Sequence, residues 1–228
     1  MLLCVLRGLW CASFCLNLHS LMMTMISPIQ RPIALAITGA SGVQYALRLL
    51  QFLIDAGEMV YLMISEPGQI VISMETELKL PGRPGEIQRF LTEYYGAEPG
   101  QLQVFGKQEW TAPVASGSSV PRAMVVCPCT MGTLSGIAAG SSGNLIERAA
   151  DVVLKEGRKL ILVPRETPFS VIHLENMLKL ARMGVVMMAA NPGFYHLPQS
   201  IDDLVDFIVA RILDQLDIAH DLSVRWGE

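Results

Sequence analysis

Three short stretches of this chain carry residue types that do chemistry, and each follows an apolar run of strand length. Lys159-Leu-Ile-Leu-Val-Pro164 runs directly into Arg165 and Glu166, a cation beside an anion. Ile33-Ala-Leu-Ala-Ile-Thr38 runs into Gly39-Ala40-Ser41-Gly42, small residues that let backbone approach a ligand closely. Ala123-Met-Val-Val-Cys127 runs into Pro128-Cys129-Thr130-Met131-Gly132-Thr133, which supplies hydroxyls. In an open parallel sheet, ligands bind in the crevice beyond the carboxyl ends of the strands. Three such tips therefore predict one composite pocket, and its ligand should be phosphorylated. The free N–H groups at the start of the helix after Gly42 favour an anion. Arg148, Lys155, Arg165 and Arg211, with the phenol of Tyr195, suit a dianionic phosphate leaving group, because guanidinium forks match phosphate geometry.

Taken singly, these features have plainer readings. Thr38-Gly-Ala-Ser-Gly42 serves equally well as a bare structural turn, and it is not the dinucleotide fingerprint G-x-G-x-x-G. Ser65 stands at the second strand tip, where a nicotinamide enzyme would show an acid, although Glu66 is next to it. Arg148 and Lys155 lie two turns apart on one helix face among Glu147, Asp151 and Glu156, a setting for surface ion pairs. Trp110, in a Ser/Gly-rich loop, reads as an aromatic wall for an apolar ligand or as an ordinary half-buried Trp. His173 reads as a satisfied helix histidine, and His196 as a loop residue that binds or is simply exposed. The chain shows neither a Ser-His-Asp pattern nor a His/carboxylate metal cluster. Cys127 and Cys129 form a lone C-x-C, which points to buried thiols in a reducing cytoplasm rather than to zinc.

The elements that must position these residues alternate regularly. After the strand at 33–38, Val43, Ala46, Leu47, Leu50, Leu53 and Ile54 recur at helical spacing up to Gly57. A strand over 59–64, a helix through Ile70 and Met74, a Pro/Gly loop over 79–85 and a helix over 86–95 follow. A weak strand over 103–105 then leads into a long loop over 106–121. Beyond the strand at 123–127 come a small-residue helix over 134–139 and a helix over 145–155 capped by Asn144. A strand over 159–163, a helix over 171–182, a strand over 185–189 and a last helix over 201–216 complete the order, with Ser200 and Asp203 spaced as a capping box. Strands alternating with helices predict one α/β domain, a doubly wound parallel sheet in a three-layer sandwich.

Composition bounds the rest. The chain has 228 residues, 17 basic against 21 acidic, and no basic tract, which argues against nucleic acid as a partner. An apolar fraction of 51% with only 17% charged residues, and a mean hydropathy of +0.41, imply apolar surface hidden between subunits. Residues 1–25 hold three of the five cysteines and little charge. They do not match a signal peptide, and Arg7, Asn17 and His19 interrupt the run of about 20 apolar residues a membrane span needs. The expectation is an over-extended start ahead of Met25, with a leader the fold does not need and a cytoplasmic protein.

Read together, Thr38-Gly-Ala-Ser-Gly42, Met74-Glu75-Thr76, Cys127-Pro-Cys-Thr-Met-Gly-Thr133, Glu147-Arg-Ala-Ala-Asp-Val-Val-Leu-Lys155, Pro164-Arg-Glu-Thr-Pro168 and Gly193-Phe-Tyr-His-Leu-Pro-Gln-Ser200 resemble the flavin prenyltransferases of the UbiX type. The resemblance covers residues 32–228. It implies a flavodoxin-like or Rossmann-like fold and an active site between subunits of a trimer-based dodecamer. The implied activity is metal-independent transfer of the dimethylallyl group of dimethylallyl phosphate to reduced FMN. Flavin N5 displaces phosphate from the allylic carbon, C6 attacks the other end, and the prenylated FMN serves UbiD-type decarboxylases in ubiquinone biosynthesis or aromatic acid decarboxylation.

The resemblance places FMN against Gly39, Ala40, Ser41, Ser65, Thr130, Met131, Gly132, Thr133 and Arg165. It places the isoprenyl phosphate near Arg148, Lys155, Glu166, Tyr195 and Arg211, with Trp110 walling the isoprenyl group. Ser41 and Glu75 correspond to a proton-handling pair, and Glu166 and Lys155 join them as catalytic groups. Thr130 stands where Ser is usual, and Glu66-Pro67 replaces Lys-Ala, which bears on flavin affinity and not on the reaction. A flavin-dependent cysteine-type decarboxylase of the same fold would show an active-site His and a Pro-Ala-Ser-Ala-Asn-Thr turn. A non-catalytic FMN carrier would leave Glu166, Lys155 and Arg211 without a reason to converge.

Overall fold

The computed structural model describes residues 31–222, so the leader lies outside the described residues. Six parallel strands set the frame: β1 (Ile33–Ile37), β2 (Val60–Ile64), β3 (Leu102–Phe105), β4 (Ala123–Cys129), β5 (Lys159–Pro164) and β6 (Val186–Met187). Seven helices connect and follow them: α1 (Val43–Asp55), α2 (Glu66–Glu75), α3 (Pro84–Tyr95), α4 (Met131–Ala139), α5 (Leu145–Lys155), α6 (Val171–Arg182) and α7 (Ile201–Leu216). The strand order is β3-β2-β1-β4-β5-β6, the doubly wound Rossmann order, whose direction of winding reverses between β1 and β4.

The strands read as continuous apolar runs because both faces of the sheet are covered. All five residues of β1 are fully buried. Ile33, Leu35 and Ile37 face one side, against α1, α2, α3 and α7. Ala34 and Ala36 face the other, against α4, α5 and α6. On the first face Arg48 of α1 grips Asp206 of α7 through both carboxylate oxygens, at 2.7 and 2.9 Å. Burial of this kind contributes roughly 25 cal/mol per Å² of apolar surface, so the two cores hold the sheet and the polar tips are left to the carboxyl edge.

Helices α5, α6 and α7 have the predicted limits; Asn144 and Ser200 start α5 and α7 as expected, and Ser170, not singled out in the sequence, caps α6. Both Ser170–His173 and Ser200–Asp203 are reciprocal capping boxes, so His173 is occupied in structure, as its helical position suggested. Elsewhere the boundaries move. Strand β4 continues past Pro128 to Cys129 with a register shift, and α4 starts at Met131 because Thr130 caps it. Helix α3 begins at Pro84, inside the predicted loop, since proline fits the first helical turn. Strand β6 shrinks to two half-buried residues at the sheet edge.

Candidate functional site

A cleft of about 190 Å³ opens at the carboxyl edge where the winding reverses. Thr38 and Gly39 enter it from β1, Met63 to Pro67 from β2, Phe105 to Lys107 from β3, Thr130 and Thr133 from β4, and Asn144 to Ile146 from the start of α5. The two central tips are joined by a buried hydroxyl and by a backbone bond from the Thr38 N–H to the Pro128 carbonyl at 3.3 Å. Thr38 Oγ1 donates to the Pro128 carbonyl at 2.7 Å and accepts from the Thr130 N–H at 2.8 Å. Thr130 in turn caps α4, its Oγ1 accepting from the Thr133 N–H at 3.2 Å and donating to Thr133 Oγ1 at 3.0 Å. Ser65 caps α2 through an acceptor bond from the Gly68 N–H at 3.0 Å. The Ser65 and Thr130 hydroxyls are thus each held in place by their own helix start.

Glycine is required at two points of the first tip. A Cβ on Gly39 would sit 2.4 Å from the Cβ of Pro67, so the β1 and β2 loops close only because residue 39 has no side chain. Gly42 adopts φ +99°, the left-handed region that other residues avoid. It starts α1 without a side chain able to cap it, and Glu75 takes that role. The Glu75 carboxylate accepts from the Gly42 N–H at 2.9 Å and the Val43 N–H at 3.2 Å. This corrects one expectation: the start of α1 does not offer those two N–H groups to a phosphate, because an internal carboxylate occupies them. It also places Glu75 directly beside the exposed Ser41. Ala40 is buried behind that turn, and Met131 and Gly132 form the first turn of α4 next to Thr130.

The candidate phosphate-binding cations lie apart within one chain. The hydrogen-bonded partners of Arg148 are Asp151, at 3.1 Å, and the Ala115 carbonyl, also at 3.1 Å. Lys155 pairs with Glu156 at 2.6 Å, and Arg211 with Asp214 at 2.5 Å. Arg148 and Lys155 belong to α5, and Arg211 to α7, on opposite faces of the sheet. Lys155 is also ten residues along α5 from Leu145 at the cleft, roughly 15 Å at the helical rise. Within one chain these cations do not converge, because the sheet and the helix length separate them. Arg165 is exposed at the tip of β5 and has no ion-pair partner among the described residues. Glu166 follows it, half-buried, accepting from the Thr167 N–H at 3.2 Å. Trp110 is 46% exposed and Tyr195 57%, so neither packs as an ordinary core aromatic.

Burial raises the Cys127 thiol and pushes Cys129 up to about 12, so both are neutral core residues. The cleft also contains residues that sequence reasoning did not assign to the site: Lys107, Phe105, Met63 and Asn144. The strand-tip rule would have found Lys107 and Phe105, but β3 is short and its tip drew no attention.

Comparison with known proteins now bears on this geometry. A family model described as Flavoprotein matches residues 24–213. The flavin prenyltransferase UbiX of Pseudomonas aeruginosa is 60% identical over 196 residues, covering 86% of this chain and 94% of that protein. The chain belongs to the UbiX family of flavin prenyltransferases. Among solved structures, AnUbiX (PadA1), crystallised with FMN and dimethylallyl pyrophosphate, is 37% identical with a TM-score of 0.77, covering 87% of this chain and 98% of that one. A dodecameric FMN-dependent UbiX-like decarboxylase from Escherichia coli O157:H7 is 40% identical with a TM-score of 0.75, covering 86% and 100%. The fold is therefore that of the UbiX flavoproteins, and the chain is a transferase that uses FMN. Among the described residues no helix is long and apolar enough to cross a membrane.

Proposed function

We propose that this chain joins the dimethylallyl group of dimethylallyl phosphate to N5 and C6 of reduced FMN, releasing phosphate and supplying prenylated FMN to a UbiD-type decarboxylase in the cytoplasm. The observation that carries the reading is the cleft at the β1/β4 reversal, in a chain 60% identical to a UbiX flavin prenyltransferase. Its residues fit FMN. Ser65, Thr133 and Lys107 offer the donors a phosphate ester needs, and Met63, Phe105 and Ile146 offer apolar surface to a ring. The flavin supplies the nucleophilic positions of the reaction.

The chain's own groups then bind and orient the isoprenyl phosphate, exclude water and deliver a proton. Arg148, Lys155, Arg211 and Tyr195 hold the departing phosphate. Since α5 and α7 lie on opposite sheet faces, these groups serve one site only when different copies of the chain contribute them. The cleft's size agrees: about 190 Å³ falls short of the roughly 300–1,000 Å³ of a complete pocket. A homo-oligomer, trimer-based and dodecameric, follows as part of the proposal. In it Trp110 shields an allylic cation from water.

Glu166 protonates the leaving group. An ionised carboxylate beside a phosphate would repel it, whereas a protonated one donates to the bridging oxygen as the C–O bond breaks. Glu166→Gln retains an oxygen for the Thr167 N–H and should fold and bind FMN normally. It should slow single-turnover formation of the N5-alkylated flavin by about 10²-fold or more under anaerobic conditions, the scale for losing a general acid. Adduct formation at the wild-type rate would make the carboxylate structural.

A further inference from the structure

Resting on the reading that the cleft holds FMN, we propose that Lys107 is the cation that binds the flavin's phosphate, and that Glu66 holds it ready at the mouth. Lys107 is the one lysine or arginine among the residues that line this cleft. It leaves the tip of β3, while Glu66 opens α2 at the tip of β2, and the two side chains meet at 3.7 Å. Both are well exposed, Lys107 49% and Glu66 76%, so the pair is weak and easily opened.

Three features bear on Lys107 at the edge of the cleft. Its carbonyl accepts from the Leu145 N–H at 2.9 Å, which ties its backbone to the start of α5 inside the cleft. Its neighbour Gly106 also lines the cleft, and the Gly106 N–H is fixed by Glu109 at 2.9 Å. The other polar groups of the lining include the hydroxyls of Ser65 and Thr133, whose protons are free to donate to a phosphate but which are uncharged. A phosphate seated among them lacks a counter-charge from the start of α1, because Glu75 occupies those N–H groups. Lys107 supplies it by swinging from Glu66 to the phosphate. Glu66 keeps the side chain extended over the mouth beforehand and then opposes the bound anion, so affinity is tuned by both residues.

The same monoester chemistry is present in dimethylallyl phosphate, and the test separates the two sources. FMN and riboflavin are titrated by flavin fluorescence into wild type, Lys107→Gln and Glu66→Gln at two salt concentrations, with the KM for dimethylallyl phosphate measured alongside. Lys107→Gln should weaken FMN on the order of tenfold, leave riboflavin unchanged and flatten the salt dependence. Glu66→Gln should tighten FMN about threefold. Equal losses of FMN and riboflavin, or a raised KM for dimethylallyl phosphate with unchanged FMN affinity, would overturn the assignment. A wild-type chain that bound neither flavin would remove the FMN reading itself, and this inference with it.

Discussion

At the scale of single residues, Thr38 does the most for the site's geometry. Only 1% exposed, it spends its donor and its acceptor on the β4 tip. Thr38→Val keeps the shape and leaves the Thr130 N–H without that partner, while the Pro128 carbonyl keeps the Thr38 backbone N–H at 3.3 Å. The expected loss is about 1–3 kcal/mol of stability, the cost of an unsatisfied buried polar group, read as a lower urea midpoint at unchanged slope. A midpoint equal to wild type would mean that water or backbone replaces the hydroxyl. The residue types at the three strand tips were legible from the sequence, but the cleft unites the β1 and β4 tips with those of β2 and β3 and takes no residue from the β5 tip, where Arg165 and Glu166 stand. Thr38's partner was not legible, because the bond spans 90 residues and only sheet order brings β1 beside β4. Glu75 is the same case: its motif identified it, but its capping of α1 depends on a Gly42 conformation that no local pattern announces.

The elements were legible wherever an amphipathic period met a capping residue. Asn144, Ser170 and Ser200 each start a helix at the predicted position, because a side-chain acceptor and an apolar stripe agree there. They were less legible where small residues blur the stripe, as in α4 with Gly132, Ser135 and Gly136, and where an edge strand is short, as in β6. What aligns elements with one another is close approach, and Gly39 is its sharpest instance. Gly39→Ala would press a methyl to 2.4 Å from Pro67 Cβ and 3.2 Å from its carbonyl carbon, so the β2–α2 turn must shift. Overpacking of this kind costs about 1–3 kcal/mol. Because Ser65 rides on the same turn, FMN affinity should fall along with the melting temperature. A variant with wild-type melting and wild-type FMN affinity would show that the turn yields freely.

At the scale of the whole molecule, the sheet divides the proposed phosphate-binding groups between two faces, and assembly must reunite them. Helix α6 suits a subunit contact: Leu180 is its one buried residue, while Val171, Ile172, Leu174 and Leu178 are at least half exposed. The high apolar fraction foretold such surface, but composition could not say where it lies. If Lys155 and Arg211 reach one site from different copies, Lys155→Ala and Arg211→Ala should each be nearly inactive alone. Subunits of the two variants, dissociated and reassembled together, should regain a clear fraction of turnover, since some sites then contain both intact groups. No recovery in mixed assemblies of normal size would place both residues in one copy's site. The central claim remains prenyl transfer to flavin. Its most direct measurement is the mass and absorption spectrum of the flavin released after anaerobic incubation of the chain with reduced FMN and dimethylallyl phosphate. The account predicts a flavin heavier by one isoprenyl unit, with an altered spectrum and an equivalent of free phosphate. Unmodified FMN recovered in full, with no phosphate released, would contradict it.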